Sequence, residues 1–572
     1  MTERTRFSLL LGCSFALASL YLHGQAPNIT YERLTRAAKE PQNWLTYSGT
    51  YMSQRYSTLN QINPSNVKTL EQKWAYQGAV VGPWQSTPLV VNGVMYLTQR
   101  PNDVVALDAK TGRVFWIYQH VPAADHTACC GANNRGLAIL GDTLFLATLD
   151  ARLVAIDART GRRVWDTTVD DYKLQYSLTV APLVVKDKVI IGVGGGDLGI
   201  RGFIAAYDAR TGKEAWRFYT VPGPGEPGHE TWKPCPPSSS TSPDSPTYCD
   251  REAWKHGGGS VWLTGSYDPD LNLTYWGIGN VWPDFNPNQR PGDNLYTESV
   301  VALDADSGKL RWHFQFTPNG AYDYDSTQIP VLADLTLSGS PAKVMLWANR
   351  NGFFYVLDRA SGRFLIGRPF VKVNWASDLN EAGRPIETPQ PPDSPTFPSL
   401  IGGTNWYSPS YSPRTELFYV SAWEDNGTIF GEKRPTPYMG GRSTAGGGIR
   451  PYVPVKGARA LPILGRGPIN NWTEATGHGA VKAIDPRTAK EVWKFYMTDV
   501  SASGILTTAS DLLFTGGREG YFHVLDARKG TLLWKTNLGA QIVGGPITYE
   551  VEGKQYVATI AGLSLVTFGL RE

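Results

Sequence analysis

The sharpest chemical signal in this sequence is a pair of adjacent cysteines, Cys129 and Cys130. Neighbouring cysteines can bond to each other only through a strained eight-membered ring that distorts the peptide between them. The residues alone leave two readings open: that ring, or two thiols that are free or separately paired. Cys235 and Cys249 bracket the Pro- and Ser-rich stretch PCPPSSSTSPDSPTYC and read as a structural disulfide closing a surface loop. In YDYDSTQ, Asp323 and Asp325 stand two residues apart, which on an extended backbone puts both carboxylates on one face. The histidines show no zinc spacing, and no Cys-x-x-Cys-His occurs for covalent haem. GVGGGDLG is rich in glycine but lies in a strand pattern with no helix after it, which argues against a nicotinamide nucleotide loop.

These residues sit on a chain built from one recurring pattern: an apolar strand, an Asp, a tight turn ending in Gly, and a Trp four residues beyond that Gly. It reads VVALDAKTGRVFW, LVAIDARTGRRVW, IAAYDARTGKEAW and VVALDADSGKLRW around Asp108, Asp157, Asp208 and Asp304. Three later copies drift. FYVLDRASGRFLI has Ile366 in place of Trp, VKAIDPRTAKEVW has Ala489 in place of Gly, and FHVLDARKGTLLW keeps Asp526, Gly530 and Trp534. Strand, Asp-x-x-Thr-Gly turn and returning strand make an antiparallel hairpin. A spacing of about 50 residues without helical periodicity makes each copy part of a four-stranded propeller blade. Seven copies are visible. The longer intervals, from Asp208 to Asp304 and from Asp358 to Asp485, have room for a degenerate blade or a long insertion. YDPDLNLTYWG and YSPRTELFYVSAW are the hairpins expected inside them. The repeat tryptophans are expected to pack between blades.

Composition excludes several alternatives. With 54 Lys and Arg against 51 Asp and Glu, the chain has no basic excess for nucleic acid or an anionic membrane. At 41% hydrophobic and 12% aromatic residues it can bury a large core, which excludes disorder. Its 60 Gly and 40 Pro disfavour a helix bundle. The first residues, with the apolar run FSLLLGCSFALASLYL, read as a signal peptide spanning residues 1–25, followed by a single propeller domain over 26–572. Cleavage after Ala18 or near Gln25 stays open, and Leu10 to Cys13 has the outline of a lipoprotein box. No second apolar stretch follows, so no membrane-spanning segment is expected in the mature chain.

The segment CCGANNR, from Cys129 to Arg135, on Asp/Thr-Gly/Trp blades behind a leader, resembles the quinoprotein alcohol dehydrogenases that use pyrroloquinoline quinone (PQQ). The resemblance runs from NWLTYSGTYMSQRYSTLNQINPSNVKTL to EGKQYVATIAG. It implies eight blades rather than the seven counted, with the quinone in a central funnel. It also implies a Cys129–Cys130 disulfide against one quinone face and Trp262 of GGGSVW against the other. Arg135 and Thr148 (in ATLDARL) fall on positions that hold the cofactor's oxygens, Arg350 on the cation beside the reacting carbonyl, and Asn405 of GGTNW on an amide bonded to the quinone. Gly195 and Gly196 fall where the backbone must come close. Asp197, Asn280, Asp323 and Asp325 are the implied ligands of a hard cation, calcium or a lanthanide. Asp323 is also the implied general base, taking the hydroxyl proton of an alcohol as its hydride moves to the quinone. Electrons would leave to a separate carrier, a cytochrome c or an equivalent, in the periplasm.

Four departures from the family pattern surround the funnel. Gln85 stands where the family has Glu, and Asp197 where it has a metal-binding Glu. Asn319-Gly320 replaces His-Asp, and Ala502-Ser503-Gly504 replaces Trp-Gly-Gly. They set two functions against each other: a dehydrogenase of an alcohol, polyol or sugar, and a non-catalytic propeller used as a binding or assembly scaffold. A scaffold has no need of a vicinal disulfide facing a carboxylate site, which favours the enzyme. The Gly- and Pro-rich loops over 373–404 and 424–475 are the expected rim of the funnel.

Overall fold

The alternation of the repeat explains its fold. In each copy the strand before the Asp packs neighbouring sheets on both faces and is buried throughout, while the returning strand is the half-exposed outer edge. A computed structural model describes residues 27–80, 82, 84–391, 393–440, 446–452, 478–497 and 499–572. The leader, its cleavage points and most of the 424–475 loop lie outside the described residues. Each repeat forms the outer half of a four-stranded antiparallel blade; the described residues form eight blades, and the one carrying Asp526 adds a fifth, parallel strand, Tyr56–Ser57. Blade 1 holds strands Leu89–Val91, Val94–Gln99, Asp103–Asp108 and Val114–Tyr118. Blades 2 to 7 carry Asp157, Asp208, Asp304, Asp358, Asp485 and Asp526 at the same place.

The eighth blade joins the two ends of the described chain. Strand Leu70–Gln77 pairs with Ser564–Leu570, closing the ring. Its Trp74 stands in the repeat position, although EQKWAY carries no Asp-Gly turn to mark it. The long intervals hold insertions, not extra blades. The expected hairpins are strands of blade 4 (Ser266–Asp268, Leu273–Gly277) and blade 6 (Ser410–Ser412, Leu417–Glu424). Among the described residues no helix is long and apolar enough to cross a membrane.

The repeat's Asp, Gly and Trp form one joint. Asp157 Oδ1 accepts from the backbone N–H groups of Arg159 and Thr160, and Gly161 takes the left-handed φ of +70° that ends the turn. On that glycine lies the tryptophan of the preceding blade: a Cβ at Gly161 would fall 2.7 Å from Cε3 of Trp116. The Trp116 indole donates to the Ala158 carbonyl at 3.2 Å. Trp74 on Gly112, Trp165 on Gly212, Trp216 on Gly308, Trp312 on Gly362 and Trp493 on Gly530 repeat the stacking, with Cβ to Cε3 separations of 2.4 to 2.7 Å. The two drifted copies explain each other. Blade 5 offers Ile366 instead of Trp, and the turn it covers in blade 6 carries Ala489 at φ +55° instead of Gly. Without an indole above, a methyl group fits. Ile366→Trp is therefore expected to destabilise the protein by about 1–3 kcal/mol through overpacking, and Ala489→Gly in the same chain to restore it. Equal thermal stability of the single and double variants would refute this coupling.

A second consequence concerns blade 7. Burial pushes the His523 imidazole down to about 4, with the Lys535 charge adding to the effect. Its Nδ1 has no hydrogen-bond partner. Below pH 6.5 the unfolded chain takes up a proton that the folded chain refuses. Stability is thus complete above that value and falls as pH drops towards 4, by about 3 kcal/mol in all. His523→Gln should flatten the dependence of the unfolding midpoint between pH 7 and 4.5. An unchanged slope would assign the acid sensitivity to other groups.

Candidate active site

On one face of the ring, the connectors between blades and the turns between second and third strands converge on a cavity of about 390 Å³. Its floor is an ion-paired cluster. Arg350, in the turn before strand Phe353–Asp358, donates through Nη1 to Asp325 (2.5 Å) and through Nη2 to Asp323 (2.9 Å). The guanidinium is fixed from behind by the Leu400 carbonyl, at 3.0 Å from Nε and 2.7 Å from Nη2. Asp323 adopts a left-handed φ of +57°, a strained conformation for a non-glycine residue. Its Oδ2 is held by Arg350, while Oδ1 is buried without a partner.

Electrostatics follow from the crowding. Burial raises the Asp323 carboxyl well above the usual range, and the neighbouring acids Asp325, Asp197 and Asp284 push the same way against Arg350. Burial also raises Asp325, with Asp197 adding to it and Arg350, the Asn280 N–H and Trp262 opposing it. Asp284 is raised by burial, then by Asp197 and Asp325. Arg350 thus serves Asp323 and Asp325, while Asp284 faces a second buried guanidinium, that of Arg290.

Asp197 comes from the turn Gly196–Leu198, and glycine is obligatory around it. Gly195 has φ +115° and a Cβ there would sit 2.4 Å from the Gln175 carbonyl; one at Gly196 would meet Ser260 Oγ at 2.7 Å and Asn280 Oδ1 at 2.9 Å. Asn280 links the acids: its backbone N–H donates to Asp325 at 2.8 Å, and its amide to Asp197 at 3.3 Å and Asp284 at 2.7 Å. The carboxylates accepting these bonds repel one another, a charge imbalance that a hard cation would offset. Among the described residues no three acidic, histidine or cysteine side chains form a metal site by themselves.

The walls suit a flat, oxygen-rich molecule. Trp262 lies on one side with the Arg135 guanidinium 4.7 Å from its ring centroid. Arg135 donates to Thr179 Oγ1 at 2.7 Å and to the Trp262 carbonyl at 3.2 Å. Cys129, Cys130, Gln85 and Asn405 line the same space. Gln85 is buried and its Oε1 has no partner, leaving an acceptor for a ligand. Asn405 is oriented by the Ile401 carbonyl at 2.8 Å. The resemblance implies a closed Cys129–Cys130 disulfide, and here the structure differs. The two sulfurs are 2.8 Å apart, in close contact but beyond the bond length of about 2.05 Å, so no bond joins them in this structure. Their contact raises the Cys129 thiol, with burial and the Asp197 charge adding to it. The Cys235–Cys249 disulfide is formed.

Thr148 is not part of the cavity. It is buried in a turn of blade 2, its hydroxyl donating to Asp150 at 2.6 Å. Thr179, in the next connector, takes the place expected of it beside Arg135. Ser177, Ser260, Trp406, Tyr407 and Trp423 also line the cavity and were not singled out from the sequence. Trp406 and Tyr407 directly follow Asn405 in GGTNWYSP, so the signal was adjacent. Ala502 lines the wall where the family has Trp, and the aromatic cluster of Tyr407, Trp423 and Trp406 closes that side instead.

An eight-bladed ring with a buried Asp-Arg-Asp cluster under an aromatic, cysteine-bearing funnel defines a propeller with a central ligand cavity. The sequence matches the family described as "PQQ: Glucose/ethanol/alcohol dehydrogenase, beta-propeller domain" over residues 44–375 and 472–557. It is 38% identical to the quinohemoprotein alcohol dehydrogenase ADH IIB of Pseudomonas putida, over 98% of this chain and 79% of that protein. It is 36% identical to the quinoprotein alcohol dehydrogenase PedH of Pseudomonas putida, over 97% and 92%. A solved europium-containing methanol dehydrogenase superposes with a TM-score of 0.83 at 32% identity, covering 94% of this chain and 100% of that one. The chain belongs to the PQQ-dependent alcohol dehydrogenase family and is an oxidoreductase of that class.

Proposed function

We propose that this chain oxidises an alcohol in the periplasm with Asp323 as general base, passing electrons to a separate acceptor such as a cytochrome c. The observation that carries the reading is the state of Asp323 at the cavity floor, with Oδ2 fixed by Arg350 and Oδ1 unpartnered. That free oxygen is available for a substrate hydroxyl proton, and the raised affinity of the buried carboxyl for protons favours the transfer. Asp197, Asn280, Asp323 and Asp325 would hold a calcium or lanthanide ion, and Arg135, Thr179, Gln85 and Asn405 the oxygens of PQQ. When bound, PQQ supplies the two-electron acceptor and the cation the Lewis acid. Trp262 and the Cys129–Cys130 segment are the walls that exclude water from the ring. Arg350 keeps Asp323 in its strained conformation and offsets the charge of its neighbours. Oxidation of the cysteine pair to a disulfide belongs to this reading.

Reconstitution tests it. The mature protein is loaded with PQQ and calcium, and separately with PQQ and a light lanthanide, and dye reduction is followed with a panel of alcohols, polyols and sugars. Alcohol-dependent turnover with at least one metal is expected. Failure to bind the quinone with either would mean that Gln85, Asp197 and Ala502 have dismantled the site, leaving the scaffold function.

A further inference from the structure

The turn that carries Asp197 is gripped on its solvent side by a segment distant in sequence. Gly199 ends the turn at φ +75°, and a Cβ there would lie 2.9 Å from Cε2 and 3.0 Å from Cδ2 of Tyr438. The tyrosine ring therefore rests directly on the turn's backbone. It is itself held flat. Tyr438 stacks on the His256 imidazole with centroids 4.3 Å apart and planes within 3°. His256 is fixed by Asp250 through Nε2 at 2.6 Å and by the edge-on Trp282 ring at 5.1 Å.

Both arms of this clamp are anchored. Thr436, two residues before Tyr438, exchanges two hydrogen bonds with the Gln289 side chain, at 2.9 and 2.5 Å. Asp250 follows the disulfide-bonded Cys249, and its N–H donates to the Gln289 carbonyl at 2.9 Å. The Tyr438 segment and the disulfide loop thus meet on one residue, Gln289, and bring tyrosine and histidine together over Gly199. On the opposite side the turn already touches Ser260, Asn280 and Gln175. Tyr438 thus meets the turn on the side opposite to these contacts. Tyr438 remains 39% exposed, and besides His256 its ring meets the buried Trp282 edge-on at 5.8 Å.

We propose that Tyr438, held by His256 and Asp250, is a positioning residue for Asp197, setting the reach of that short carboxylate towards the cation. The inference rests on the reading that Asp197 is a cation ligand. An aspartate reaches one methylene less far than a glutamate, so the position of its backbone decides whether its oxygens arrive. A clamp outside the turn supplies that constraint, as supporting residues do for other metal ligands.

The test is the affinity of the quinone-loaded protein for calcium and for lanthanum, by calorimetric titration after chelator stripping. Circular dichroism and the thermal midpoint serve as the check on folding. Tyr438→Ala is expected to weaken binding about 10-fold or more, Tyr438→Phe to bind like the unchanged protein, and Asp197→Ala to weaken it further. His256→Gln, which removes the stacking surface but leaves Tyr438, should weaken binding in the same direction and replaces Tyr438→Ala if that variant does not fold. Unchanged affinity in Tyr438→Ala and His256→Gln, with loss in Asp197→Ala, would overturn the clamp and leave Asp197 as a ligand. Unchanged affinity in Asp197→Ala would overturn both. Tyr438→Phe as weak as Tyr438→Ala would overturn the stacking argument by assigning the effect to the hydroxyl.

Discussion

Asp323→Asn is expected to lower kcat for alcohol oxidation by about 10²- to 10⁴-fold, the range of a positioned general base, while the quinone absorbance of the reconstituted protein persists. The amide keeps the size of the side chain and can still accept from Arg350, so the floor of the cavity is preserved. What it loses is the negative charge, and with it the basicity that takes the proton. Because Asp323 is raised by its burial and by three neighbouring acids, removing its charge relieves repulsion, and thermal stability should hold or rise. This separates a catalytic from a structural role. Full activity in Asp323→Asn would remove Asp323 as the base. Loss of quinone binding would show instead that the residue holds the cofactor.

The sequence made the blades legible because their joint is local. An Asp that caps its own turn, a Gly in the left-handed region and a Trp four residues on are all written within thirteen residues. The eighth blade was not legible in that pattern, because closure from two chain ends splits the motif and leaves Trp74 without its turn. The same contrast holds at the site. Gly195, Asp197, Asp323, Asp325 and Arg350 lie in short motifs and line one cavity. Thr148 and Thr179 show the limit: one is a buried threonine in a turn of blade 2 and the other a buried threonine in the connector to blade 3, and only the packing of the two blades decides which one meets Arg135. The cysteine pair was legible as a contact. Whether it is bonded depends on oxidation, which no pattern of residues encodes. The pairing of Ile366 with Ala489 was also visible as two separate departures. It became one finding only when the blades were adjacent, since the compensation crosses 123 positions of sequence from 366 to 489.

The largest loss of stability is expected from Arg350→Ala, about 3–5 kcal/mol, the cost of leaving a buried partner's charge uncompensated. Here two partners are stranded: Asp323 and Asp325 share this guanidinium, which is only 6% exposed. The sign of the pH dependence identifies the cause. Both carboxyls are already raised above their ordinary value by burial, and Arg350 is the largest influence opposing the rise. Without it their folded-state values climb further. A raised acid contributes stability that is complete below the unfolded value, near 3.8, and is lost as pH rises towards and through the folded one. The deficit of Arg350→Ala relative to the unchanged protein should therefore be largest near pH 8 and shrink towards pH 4. Urea denaturation of the cofactor-free protein at both values measures it. Adding Asp325→Asn to Arg350→Ala should recover part of the deficit at pH 8, since one of the two stranded charges is gone while the side chain can still accept from the Asn280 N–H. A deficit equal at pH 4 and pH 8, with no recovery in the double variant, would assign the role of Arg350 to its bonds with the Leu400 carbonyl. Arg350 would then be a brace for the connector at Leu400, and the charge balance at the cavity floor would have to come from the bound cation alone.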